Sequence, residues 1–241
     1  MTPSDIFAAQ EATWPPAAKT RVGPWCIRDG QGGGKRVSAA SAEAPVTAAD
    51  IPLAEAAMAD LGQPALFMIR PGDEDLDAAL AARGYRVVDP VTILSAPLAT
   101  VATQPPPPVS AFTVWEPLAI MQELWDENDI GPARRAVMAR VQGPKTAILG
   151  RQNDRAAGVA FAAVDGEICF VHAVAVSDAH RRQGTAINMM RAAAFWAQDQ
   201  GATSLAVLVV EANRGACALY ASLGLANVGH YHYRTNAPQQ A

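Results

Sequence analysis

AHRRQGTAINMMRAAAFWAQDQG, residues 179–201, sets two arginines, a glutamine and a glycine directly before an apolar segment with helical spacing. A helix N-terminus leaves backbone N–H groups unpartnered and carries partial positive charge, so it attracts anions. Gly184 removes the side chain that would hinder close approach, Ala186 is the next smallest choice, and Arg181 and Arg182 add fixed positive charge at the mouth. The preceding run EICFVHAVAVS, residues 167–177, is valine-rich and suits a strand buried on both faces. Strand, tight glycine loop and amphipathic helix, in that order, predict a phosphate cradle in an α/β fold with a mixed layer of helices and strands.

Upstream of this unit, FTVWEP reads as a strand, PLAIMQELWDENDI and GPARRAVMARVQG as helices, and KTAILGRQ with AAGVAFAAVDG as a hairpin across NDR. Downstream lie a strand, SLAVLVV, a helix, RGACALYASLG, and a last strand, ANVGHYHYRT. The sharpest break in composition is TQPPPP, residues 103–108, whose prolines forbid helix. It divides the chain into an N-terminal domain, 1–102, a proline-rich linker, 103–109, and a C-terminal domain, 110–241. Before the linker, PWCIRDGQGGGKRVSAA suggests two short strands around a glycine-rich turn, and TAADIPLAEAAMADLG a helix. ALFMIR reads as a strand and DEDLDAALAARG as a helix ending at Gly84.

The segment ALFMIRPGDEDLDAALAARGYRVV can be laid on LAVLVVEANRGACALYASLGLANV without a gap, Gly224 lying 140 positions after Gly84 and Asn213 140 after Asp73. Such a repeat can be structural or a chance product of shared Ala and Leu. On the same offset Ala44 stands opposite Gly184, Asp73 opposite Asn213 and Leu80 opposite Tyr220, so an N-terminal copy has lost its anion loop.

Arg-x-x-Gly-x-Ala, from Arg181 to Ala186, after a valine-rich strand and before an amphipathic helix, resembles motif A of the GNAT-family N-acetyltransferases. VVEANRGACALYASLGL, residues 209–225, is similar to the family's later motif, an Asn before a helix that carries a Tyr and ends in Leu-Gly. The resemblance covers residues 111–234 and implies a GNAT acyl-CoA N-acyltransferase fold, here in tandem with a degenerate N-terminal half. It implies that the backbone N–H groups of Gln183, Gly184, Thr185 and Ala186 hold the pyrophosphate of acetyl-CoA (coenzyme A), with Arg181 and Arg182 at the loop opening. It further implies that Val174 and Val176 present backbone groups to the thioester and pantetheine, that Asn213 contacts the cofactor arm, and that Tyr220 protonates the departing sulfur. An amine attacking a thioester needs a lone pair, a donor for the developing oxyanion and, optionally, an acid for the leaving group. The Val174 N–H suits the second role and the Tyr220 phenol the third.

Blander readings stand beside these. Tyr220 also suits a half-buried packing role, and Asn213 a helix cap. His172, two residues before Val174 and on the same face of a regular strand, is the candidate general base or a satisfied core histidine. Glu123, Asp126 and Glu127 could attract a cationic amine or form a solvated face, Glu167 could be a hairpin-end charge, and HYHY at 230–233 lacks a third metal ligand. Trp14, Trp25, Arg28 and Arg36 are candidates to shape an acceptor pocket, with packing the alternative for both tryptophans.

The chain has 241 residues, half of them hydrophobic, and a formal net charge of -4. That balance gives no basic field for nucleic acid or an anionic membrane. Cys26, Cys169 and Cys217, without metal or CxxC spacing, suggest buried thiols in a reducing compartment. The N-terminal segment has acids and prolines in place of an apolar core, and no apolar run reaches the roughly 18 residues of a membrane span. The expectation is a cytoplasmic N-acetyltransferase that moves an acetyl group directly from acetyl-CoA to a small-molecule amine or amino-acid derivative, without metal, nucleic acid or membrane; a homodimer is compatible with it. The alternative is a non-catalytic acyl-CoA-binding or regulatory module.

Overall fold

A computed structural model describes residues 2–238 of the chain. They form two compact units, each assembled from separated segments: 2–15, 93–209 and 213–229 in the first, 16–92, 210–212 and 230–238 in the second.

The chain begins with α1 (Pro3–Thr13), started by a capping box in which Thr2 and Asp5 bond reciprocally and Pro3 occupies the first turn. In the second unit β1 (Ala18–Val22), β2 (Trp25–Asp29) and β3 (Ser41–Ala42) make an antiparallel sheet. A short 3-10 turn at Lys35–Val37 lies between the last two strands, inside the glycine-rich connection. There follow α2 (Ile51–Asp60), β4 (Leu66–Ile69), α3 (Glu74–Ala82) and β5 (Arg86–Pro97). Trp25, Phe67 and Tyr85 meet edge to face at 5.3 and 5.5 Å and centre a core with Ile27, Met58, Leu76 and Leu80.

The first unit continues with α4 (Leu98–Val101), β6 (Ala111–Val114), α5 (Ala119–Asp126), α6 (Pro132–Arg140), β7 (Lys145–Gln152), β8 (Arg155–Asp165) and β9 (Ile168–Val176). Then come α7 (Thr185–Asp199), β10 (Ser204–Val210), α8 (Arg214–Ser222) and β11 (Ala226–Thr235), whose residues 232–235 pair antiparallel with β4 in the second unit. Within the first unit the sheet order is β10-β9-β8-β7-β6, antiparallel except for the β9–β10 pair. The β7–β8 turn uses Asn153 and Asp154 with φ of 50° and 58°, the left-handed pair that matches strand twist in a two-residue hairpin. β8 and β9 are buried almost throughout, since α7 packs on one face of the sheet and α1 and α5 on the other. Gly150 lets α7 come close: a Cβ there would lie 2.8 Å from Met189 Sδ and Thr185 Cγ2.

The 140-residue offset recurs as local structure. α3 and α8 are both nine residues long, and Gly84 and Gly224 end them with φ of 81° and 82°. The bonds that close the two helices also correspond, Tyr85 N to Leu80 O and Leu225 N to Tyr220 O.

Candidate active site

β9 and β10 pair in parallel only from Ile168–Val171 against Ser204–Val207; beyond that point no ladder joins them. The cause lies in β9, where the register against β8 passes from His172 opposite Phe161 to Ala175 opposite Val159. Two residues, Ala173 and Val174, therefore face the single Ala160, and Ala173 takes a left-handed φ of 51°. Trp125 of α5 holds this bulge by donating from Nε1 to the Ala173 carbonyl at 2.9 Å. Past the bulge Ser177 N donates to Ala157 O, so the odd residues of β9 bond to β8. The backbone groups of Val174 and Val176 consequently turn the other way, toward the side where β10 has parted from the strand.

The bulge corrects one expectation. His172 and Val174 do not share a face, because the extra residue inverts the alternation. Val174 and Val176 pack with Cys169, Val171 and Met189 on the α7 side, whereas His172 stacks on Phe170 at 5.5 Å and lies 5.0 Å from the Trp14 ring. The imidazole is 4% exposed, and its Nε2 lies 3.0 Å from Thr13 Oγ1. The residues that surround it from α1 have one mark in the sequence, the capping pair Thr2 and Asp5 at the start of that helix.

At the end of β9 the chain makes one 3-10 turn, Asp178–His180, fastened by the 2.8 Å bond between Ser177 Oγ and His180 Nδ1. Arg182 then takes a φ of 61° and Gly184 one of 88°. Left-handed residues so spaced curl successive N–H groups into a concavity that suits an anion. α7 starts at Thr185 with no side chain capping it, so its first N–H groups remain available. Arg181 is exposed, paired with Asp178 at 2.7 Å and bonded through Nε to Val176 O at 3.3 Å. Gln183 braces the loop by donating from Nε2 to Ala179 O. Thr185 is 1% exposed, and its hydroxyl has no hydrogen-bond partner. Ser177, Asp178 and His180, which shape this loop, escaped the sequence reading; SDAH directly before RRQG is their only signal.

Asn213 caps α8, its Oδ1 accepting from Ala216 N at 3.0 Å, which leaves its amide nitrogen to serve another partner. Tyr220 is 5% exposed and belongs to the same hydrophobic cluster as Val174, Val176 and Ala186. Burial, with a smaller contribution from Cys217, pushes its phenol up to about 12. The group is therefore a neutral hydroxyl at every ordinary pH. Cys169 is buried and also pushed up to about 12, no nucleophile at neutral pH; Cys26 and Cys217 are only half-buried, against expectation. None of the three is in a disulfide.

Of the other candidates, Asp126 is paired with Arg135, and Glu167 anchors the start of β9 through backbone bonds from Thr203 and Ser204. Trp25 is fully buried with Nε1 on Asp50 O, and Arg28 bonds Ala39 O and Ser41 Oγ, so both serve the second unit's core. Among the described residues no three His, Cys, Asp or Glu side chains cluster as a metal site. His232 is bonded to Asp77 instead.

The first unit thus joins a parted strand pair, backbone donors aimed into the gap and an open anion concavity at the gap's mouth. These features fit a ligand with an extended arm and a pyrophosphate.

Residues 112–225 match the model of the acetyltransferase (GNAT) family. The chain is 25% identical over 233 residues to an uncharacterized N-acetyltransferase, YobR, of Bacillus subtilis (strain 168), covering 92% of this chain and 94% of that protein. Its fold is similar to that of a GCN5-related N-acetyltransferase from Kribbella flavida, with a TM-score of 0.74 at 20% identity over 99% of this chain and 97% of that one. It is also similar to a tandem GNAT protein from the clavulanic acid biosynthesis pathway, with a TM-score of 0.61 at 14% identity over 94% and 86% of the two chains.

Proposed function

We propose, from the match of residues 112–225 to the acetyltransferase (GNAT) family and the likeness to an N-acetyltransferase over nearly the whole chain, that the protein is an acetyl-CoA-dependent acyltransferase of that family and moves an acetyl group directly to the primary amine of a small molecule or amino-acid derivative. The observation that carries this reading is the uncapped, left-handed start of α7 beside the parted end of β9 and β10. Bound there, acetyl-CoA supplies the activated acyl group as a thioester.

The chain's own residues do the rest. Backbone N–H groups of Gln183, Gly184, Thr185 and Ala186 hold the pyrophosphate, with Arg181 and Arg182 adding charge at the loop. Val174 and Val176 bond the arm as an added strand would. The Val174 N–H stabilises negative charge as it develops on the acyl oxygen. Asn213 uses its amide nitrogen on the arm while its oxygen caps α8. Tyr220 offers its hydroxyl hydrogen to the leaving sulfur. A phenol near 12 surrenders that proton completely to a thiolate of ordinary pKa near 8.5 only at a cost of about 4 to 5 kcal/mol. Its contribution is accordingly a hydrogen bond that strengthens in the transition state. His172 takes the amine proton. Transfer needs no covalent enzyme intermediate, in keeping with a Cys169 thiol held neutral by burial.

A small acceptor is supported by the pairing of Asp126 with Arg135, which removes one of the acids that a basic peptide groove on α5 would use. We further propose a cytoplasmic location, in keeping with three cysteines of which none is in a disulfide. No described helix is long and apolar enough to cross a membrane. The division into a degenerate half, 1–102, a linker, 103–109, and a catalytic half, 110–241, stands as a proposal about descent, supported by the matched helices and glycine turns of the 140-residue repeat. The test is thiol release from acetyl-CoA across a panel of amines and amino acids. Acceptor-dependent release is expected; tight cofactor binding with no release for any amine would make the chain a binding module.

A further inference from the structure

The geometry points to the outer edge of β6 as a twofold interface that joins two copies of this chain strand to strand. β6 ends the sheet order of the first unit; among the described residues it pairs with β7 alone, Ala111 opposite Gly150 and Val114 opposite Ala147. The neighbouring bonds decide which of its backbone groups look outward. Arg151 N donates to Ser110 O, and on the far side of β7 Val164 N donates to Pro144 O, so the odd residues of β7 bond to β6 and the even ones to β8. Phe112 and Val114 are thereby bonded to Leu149 and Ala147. The N–H and C=O groups of Ala111 and Thr113 face away from the sheet, and no described residue bonds to them.

Two such edges match each other in one register. With a twofold axis at Phe112, Ala111 of each copy meets Thr113 of the other, the pair exchanges both bonds, and every outward group finds a partner. An axis at Ala111 or Thr113 would need Val109 or Trp115, which lie outside the strand, and Val109 has a left-handed φ of 56°. The two Phe112 residues then form the pair without hydrogen bonds, whose Cα atoms stand about 4.5 Å apart with the side chains in contact. Val114, Ala147 and Phe161 share a cross-strand row, and Phe161 meets Trp14 and Trp115. Phe112 is therefore on the sheet face that α1 and α5 cover over β8 and β9. Val109, Phe112, Trp115, Leu118 and Ile120 are 37 to 61% exposed. On residue areas of about 150–250 Å² they present roughly 400 Å² of apolar surface per copy. One side of an ordinary interface buries about 800 Å², somewhat over half of it apolar, so these residues supply nearly the whole apolar share. β6 also carries no charge, proline or bulge, the usual means of keeping an edge unpaired. The self-matching register assigns this edge to a second copy.

Sedimentation equilibrium of the full chain reads the assembly directly, and a dimer at micromolar concentration is expected. Thr113→Pro removes an outward N–H and leaves the β7 ladder whole, at a place where an edge strand tolerates proline. Two bonds are lost per dimer, so the dimer Kd should rise about 100-fold or more. Phe112→Lys and Phe112→Glu each set like charges against one another across the axis, and each alone should be a monomer. Mixed in equal amounts they should form a heterodimer, a recovery that unfolded chains would not show. A wild-type protein that stays monomeric at every concentration measured would overturn the proposal. A dimer that keeps its affinity in Thr113→Pro and in both Phe112 variants would overturn it too, by placing the interface on another face. A mixture that stays monomeric would overturn the axis at Phe112.

Discussion

Replacing Gly184 by alanine isolates the cradle from everything else in the fold. Gly184 has a φ of 88°, and a Cβ there meets nothing within 4 Å. The substitution therefore adds backbone strain without a clash, about 1–2 kcal/mol for a left-handed L-residue. The neighbouring Arg181, Arg182 and Gln183 are exposed, so the empty loop can relax out of the left-handed region and the melting temperature should scarcely move. Binding must restore the concavity, so the strain falls on affinity, roughly a 5- to 30-fold weaker Kd for acetyl-CoA. Gly201 is a matched control: its φ is 84°, its Cβ is equally unobstructed, and it ends the same helix at the far end. Gly201→Ala should lower the melting temperature by about 2–4 °C for each kcal/mol and leave Kd unchanged. Titration calorimetry on the three proteins decides the matter. A Gly184→Ala protein that binds as wild type, or a Gly201→Ala protein weakened to the same extent, would refute the assignment.

Tyr220→Phe should leave cofactor affinity nearly intact and slow acceptor-dependent thiol release, and since the phenol stays neutral up to about 12, no limb of the wild-type pH–rate profile at ordinary pH should vanish with it. Equal kcat would exclude its part in departure of the sulfur. Gly150→Ala drives a methyl to 2.8 Å from Met189 and Thr185 and should destabilise by about 1–3 kcal/mol in denaturant melts, partly recovered by a companion Met189→Ala. Arg234 beside Asp77, with His232, holds that carboxyl down to about 2. The sign follows from the depressed value: the stabilisation is present above the unfolded pKa near 3.9 and is lost as pH falls toward 2. Asp77→Asn should flatten stability against pH in that window; an unchanged slope would show that the ion pair is inert.

Elements set by periodicity were readable in advance. β10 and α8 lie where the apolar run and the Asn-to-Gly segment place them, because both sit over a continuous core that punishes any other register. The start of α7 was legible for another reason: only glycine takes the left-handed turn at 184 at little cost. α1 was not legible, since its apolar residues follow no helical period and only its cap marks it. The face of His172 was hidden as well. It depends on Ala173 adopting a φ of 51° opposite Ala160, a cross-strand fact that neither residue type announces. The place of residues 232–235 in the second unit likewise turns on their pairing with β4, a contact far too distant in sequence for local pattern to reveal.

The most direct test of the account is calorimetric titration of the intact protein with acetyl-CoA, beside S-acetylpantetheine, which keeps the thioester arm and lacks the pyrophosphate. Binding of acetyl-CoA that is markedly tighter than that of the truncated arm, with the difference lost in Gly184→Glu, is the predicted result. Equal affinities for the two, or acetyl-CoA binding that survives the glutamate, would contradict the claim that the loop from Arg181 to Ala186 holds the pyrophosphate.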